Sequence, residues 1–205
     1  MSGSKPLNLD EIDKLLDELD SKRDQAALLL SCACGLRAGT LAKLTLASVL
    51  DREHALTGRL EIPRKAIKGK RQAHALTIPP RALNALAIWI AKHPAPHRAA
   101  PMFPSTTRPD RGVCPRQWQR IISSAARRAG LDARLTPHSA RKFFAQAIYA
   151  STKLDIQLTT RALGNKSPIS TLHYLDFGAS AIEAASLEIF SNRAQLELLP
   201  KETAH

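Results

Sequence analysis

The sequence predicts an α+β domain that is mainly α-helical, with one small antiparallel sheet or hairpin near residues 46–79. Three observations lead there. Apolar residues recur at helical spacing over most of the chain, strict alternation is confined to short runs near residues 60 and 77, and Gly or Pro stands at several predicted helix ends. At 205 residues the chain is long enough to bury one sizeable core.

Leu9 to Leu19 sets Ile12, Leu15, Leu16 and Leu19 at helical spacing, with acids in the first turn where the helix dipole favours them. A second helix, Lys22 to Cys34, is apolar through Ala26 to Leu30 and stops at Gly35, a suitable C-terminal cap. Arg37 therefore emerges just past a buried helix. Leu41, Leu44 and Leu46 predict a short helix, then a turn and a strand around Ala47 to Leu50. Leu60 and Ile62 alternate with Glu61, and Leu76 and Ile78 with Thr77, which is strand spacing. Between them Lys65, Lys68, Lys70 and Arg71 form a basic hairpin tip turning at Gly69, and Pro63 makes the first strand an edge or bulged one.

From Pro80 a helix follows with Leu83, Leu86, Ala87 and Ile90 on one face. Residues 94–114, punctuated by Pro94, Pro96, Pro101, Pro104 and Pro109, are expected to be a long surface loop within the same domain. Pro115 to Ala129 carries Trp118, Ile121, Ile122 and Ala125 on one side and arginines on the others. Thr136-Pro137-His138 starts another helix, because Thr caps free amides and Pro fits the first helical position. Asp155 opens one that ends at Gly164, Ser167-Pro168 opens one leading to Tyr174, and an amphipathic helix closes the chain over about Ser180 to Leu198. A single domain over 9–198 is expected, with residues 1–8 outside it as a disordered or appended N-terminus.

Thirty Lys and Arg against eighteen Asp and Glu give a net charge of +12, which calls for a polyanionic partner, nucleic acid first. No apolar stretch approaches the roughly 20 residues of a membrane span, and a cytoplasmic, nucleoid-associated protein is expected. Cys32, Cys34 and Cys114 are too few and too odd for a disulfide framework or zinc site, and the first two read as small helix residues.

His138 and Arg141 stand three apart on the first turn of one helix, near amides that welcome phosphate, so one phosphate could touch both. Alone, such a pair is an ordinary surface feature. Of the two tyrosines, Tyr149 lies eleven residues after His138, about 16 Å along the same helix, and reads as core beside Phe144 and Ile148. Tyr174, on a separate short helix, is free to approach from another direction.

In order along the chain, Gly35-Leu36-Arg37, the basic hairpin, His138-Ser139-Ala140-Arg141 and Leu163-Gly164-Asn165 through Tyr174 resemble the motifs of the tyrosine recombinase catalytic domain, the phage-integrase and Xer-like family. The resemblance runs from about Leu9 to Phe177. It implies that Tyr174 attacks the scissile phosphate, leaving a 3′-phosphotyrosyl protein and a free 5′-hydroxyl. Arg37 and Arg141 would hold the nonbridging oxygens, His138 would accept the tyrosine proton, and Lys68, with Lys70 as the other candidate, would protonate the leaving oxygen. Lys65, Lys70, Arg71 and Lys142 would contact DNA, and neither metal nor other cofactor is implied. Asn165 stands where the family usually has histidine or tryptophan, and its amide is expected to donate to phosphate. Thr40 replaces an acid that supports the site.

The resemblance further implies a site-specific recombinase that works on double-stranded DNA as a homo-oligomer, dimer to tetramer, with accessory directionality proteins as further partners. Family members generally carry an N-terminal helical domain that clamps the other face of DNA. That domain is expected to be absent here, the chain being either an excised fragment or a compact recombinase of the kind that inverts fimbrial promoters. A weakened DNA-binding regulator on the same fold and a type IB topoisomerase-like activity are the alternatives.

Overall fold

A computed structural model describes residues 4–66 and 74–175. Eight α-helices are present among them: α1 (Leu9–Asp17), α2 (Lys22–Cys34), α3 (Ala38–Leu41), α4 (Pro80–Ile90), α5 (Pro115–Arg128), α6 (Pro137–Ser151), α7 (Ile156–Ala162) and α8 (Pro168–Leu172). Strands β1 (Arg59–Ile62) and β2 (His74–Thr77) pair antiparallel, Leu60 opposite Leu76, as the alternation predicts.

The core is built around α2, which packs against α4 and α6. Apolar side chains all round a helix require burial on every side. Ala26, Ala27, Leu28, Leu30, Cys32 and Cys34 are accordingly buried. Each fully buried leucine there contributes roughly 2 kcal/mol of transfer free energy. Burial also pushes the Cys32 and Cys34 thiols up to about 12. In the first turn of α2, Arg23 and Asp24 are buried as a satisfied pair: Arg23 bonds Asp24 and donates to the Pro104 carbonyl at 2.7 Å.

Gly35 ends α2 in the left-handed region at φ +58°, and a Cβ there would overlap the Phe144 ring. The chain thus turns sharply while α6 approaches its backbone closely. Two caps fix the helices that carry later residues: Thr136 accepts from the His138 amide, and Asp155 accepts from the amides of Gln157 and Leu158.

Several expectations are corrected. Ahead of α1, Leu7 is buried and Asn8 forms a capping box with Glu11, so packed residues begin before the start expected at residue 9. Instead of a strand around Ala47 to Leu50 there is a 3₁₀ turn, Leu46–Ser48, with a lone bridge between Leu50 and Leu56. The buried face of α4 is centred on Ala82, Leu86 and Trp89, and Ala87 is exposed.

The proline-punctuated stretch is no mere surface loop. Ala100, Met102, Phe103 and Val113 are in the core, the Met102 amide bonds the Leu44 carbonyl, and Trp89 Nε1 donates to the Met102 carbonyl at 2.8 Å. Tyr149 is half-buried rather than core. The helix expected over Ser180 to Leu198 lies outside the described residues.

Candidate functional site

The residues converge where the C-terminal end of α2, the first turns of α6 and the α7–α8 corner meet. Arg37 follows Gly35 and buried Leu36, so the turn at Gly35 sends its side chain out beside α6 rather than along α2. Its Nη2 donates to Asn165 Oδ1 at 2.6 Å. Arg141 reaches the same oxygen at 2.8 Å and also donates to the backbone carbonyls of Leu163, at 2.9 Å, and Gly35. It is only 3% exposed, so a guanidinium of fixed geometry is held by the ends of two other helices. Burial and the field of Arg37 pull its pKa down to about 10, still high enough to keep it charged at neutrality.

Tyr174 is half-buried after α8, with the Arg141 guanidinium 4.8 Å over its ring centroid. Burial opposes ionisation of the phenol. The fields of Arg141 and Arg37 and their hydrogen bonds outweigh it, and the pKa falls below its ordinary 10. His138 stays open to solvent at the start of α6. Partial desolvation, then the fields of Arg141, Arg37 and Lys142, hold its imidazole below the ordinary value. It is therefore a neutral base at physiological pH.

Asn165 differs from expectation. It sits just past Gly164, which takes φ +60° at the end of α7. Its Nδ2 donates inward to Thr171 Oγ1 at 3.0 Å, while its oxygen accepts from both arginines. The amide oxygen is thus an acceptor joining two cations, and one of the two Nδ2 hydrogens is spent on Thr171.

Thr40 is buried, its amide donates to the Arg37 carbonyl at 2.8 Å, and its hydroxyl donates to the Ala66 carbonyl at 3.4 Å, so it ties α3 to the turn after β1. Lys142 follows Arg141, half-buried. The Lys65 side chain, Lys68, Lys70 and Arg71 lie outside the described residues.

Three site residues escape sequence reasoning. Thr171 and Thr160 are buried behind Asn165, and His74 on β2 bonds the Ala162 carbonyl at 3.1 Å, joining the sheet to the end of α7. The available signal was two threonines eleven apart on the inner faces of short helices, with nothing to tell a hydroxyl relay from ordinary packing. Among the described residues no cluster of metal-ligating side chains is present, and no helix is long and apolar enough to cross a membrane.

Comparison with known proteins decides the family. The model of the phage integrase family matches residues 5–179. The chain belongs to the phage integrase family. Tyrosine recombinase XerC of Alcanivorax borkumensis is 31% identical over 186 residues, covering 84% of this chain. The alignment takes in 56% of that relative's length, so this integrase-family chain spans little more than half of it.

Among solved structures, XerA recombinase superposes with a TM-score of 0.73 at 20% identity, covering 91% of this chain and 64% of that one. The Tn1549 transposon integrase bound to transposon right end DNA gives 0.71 at 15% identity, covering 94% and 67%. The mainly helical fold with its two-stranded sheet is therefore the one these recombinases and integrases share.

Proposed function

We propose that the chain cleaves and rejoins double-stranded DNA as the catalytic part of a site-specific recombinase, with Tyr174 as nucleophile. The observation that carries this reading is the pair Arg37 and Arg141 gathered on one amide oxygen, with Arg141 over the Tyr174 ring. Two guanidiniums beside a phenol favour its ionised form and bind the nonbridging oxygens of a phosphate. They then offset the charge that develops on the five-coordinate transition state.

In the proposed reaction the phenol oxygen attacks phosphorus as its proton passes to neutral His138. The bond from phosphorus to the 5′-oxygen breaks, and Lys68 supplies the proton that completes the 5′-hydroxyl. Attack of a 5′-hydroxyl on the phosphotyrosine reverses these steps and rejoins a strand, so bond energy is kept without another reactant. Lys65, Lys70, Arg71 and Lys142 contribute phosphate contacts, which makes binding steeply salt-dependent.

Lambda integrase is a dimer on core-site DNA. A dimer to tetramer on DNA is proposed here as well, with accessory directionality proteins as further partners, acting in the cytoplasm on the nucleoid.

Covalent trapping tests this. Labelled nicked DNA carrying the sequence that flanks the source gene is mixed with protein and quenched in SDS, wild type beside Tyr174→Phe. The expected result is an adduct that Tyr174→Phe abolishes. DNA binding without any adduct from wild type would favour the regulator instead.

A further inference from the structure

The side of Asn165 turned away from the arginines meets a line of buried hydroxyls that ends on a backbone carbonyl. Thr160 Oγ1 lies 2.6 Å from the Ile156 carbonyl and 2.9 Å from Thr171 Oγ1, which lies 3.0 Å from Asn165 Nδ2. Thr171 is fully buried and Thr160 is 7% exposed, so bulk water does not compete for these groups.

Thr160 has one proton, shared between the Ile156 carbonyl and Thr171 Oγ1. Thr171 accepts from Thr160, and it accepts again from the amide facing it. The two cations on the other side of that amide need an acceptor, so the group facing Thr171 must be the donor. Only Nδ2 satisfies this, which turns Oδ1 toward the guanidiniums. The reversed amide would set an NH₂ against two cations and leave its oxygen without that pairing.

We infer that Thr160 and Thr171 are positioning residues: a relay of two buried hydroxyls, Thr160 donating to Thr171 and Thr171 accepting from Nδ2, orients the Asn165 amide so that its oxygen gathers Arg37 and Arg141 beside the nucleophile. The role rests on the cleavage reaction proposed above and deepens it. Both lone pairs of Oδ1 are taken by arginines, so Asn165 sets the spacing of the two cations and is itself a positioning residue. An aspartate would also accept from them, but it would put negative charge where the phosphate must come.

The test is a double-mutant cycle on adduct formation with the nicked DNA. Thr171→Val keeps shape and removes the relay's central hydroxyl, and an about tenfold slower cleavage is expected for loss of one buried hydrogen bond. Thr171→Ser restores the wild-type rate. Thr160→Val, one step further from the amide, slows cleavage less, and in an Asn165→Ala background Thr171→Val has no further effect. A Thr171→Val rate within twofold of wild type, or a loss of the same size in the Asn165→Ala background, overturns the relay.

A second readout needs no DNA. In a Tyr149→Phe background Tyr174 is the only tyrosine, and its phenol is titrated by absorbance. Thr171→Val should raise its pKa toward 10, and an unchanged value counts against the relay. Wild type that forms no adduct defeats the cleavage reading alone, and the titration then still decides the relay.

Discussion

Arg141 and Tyr174 are neighbours held by opposite means. Arg141 belongs to a fifteen-residue helix packed on α2, is buried, and donates to carbonyls at the ends of α2 and α7. Tyr174 follows a five-residue helix whose Ile169 and Leu172 are 71% and 44% exposed, and the corner before it is tied by hydroxyl and amide bonds. Charge-stabilising groups gain from being fixed before the transition state forms, and a core supplies that fixity. A nucleophile on short, half-exposed helices has a smaller local free energy of opening, so it is the member of the pair free to adjust to the phosphate.

The largest effect expected from this contrast is on stability. Gly35→Ala adds left-handed backbone strain and an overlap with Phe144 at the junction that holds Arg141, and should cost about 3 kcal/mol in urea unfolding. Ile169→Ser, on the exposed side of α8, should change stability by less than about 0.5 kcal/mol. Equal costs would remove the contrast.

A smaller effect comes from pH. Above 6.5 the His138 imidazole is neutral in both folded and unfolded chains. Because its folded pKa is depressed, the unfolded chain takes up the proton first; stability from this group is present above 6.5 and is lost as pH falls through the folded value. The same depression keeps the imidazole a competent base below 6.5. The acid limb of the adduct-formation rate should therefore lie below that value, and a limb at or above it would contradict the account.

Much of the frame was legible in the sequence. The bounds of α2, its stop at Gly35, the capped start of α6 at Thr136 and the α7–α8 corner follow from local rules of periodicity and capping. The proline-rich stretch was misread because proline reports a missing amide hydrogen, not exposure; Met102 and Phe103 are core although the backbone around them is irregular. The apolar run Leu46 to Leu50 is too short for its period to separate a strand from a turn. The arginines, His138, Asn165 and Tyr174 were singled out by type and order, and the structure brings Arg37, Arg141, Asn165 and Tyr174 together, but the sense of the Asn165 amide was not legible. It depends on hydroxyls from the two helices that flank it, and spacing alone does not tell such a relay from ordinary packing.

The most direct measurement is the site of the covalent bond. Wild-type protein trapped on nicked DNA is digested with nuclease and protease, and the nucleotide-bearing peptide is sequenced by mass spectrometry. The account predicts a phosphate ester on Tyr174, at the 3′ side of the cleaved strand. A nucleotide on Tyr149 or on any other residue, or an ester on the 5′ side, would contradict it.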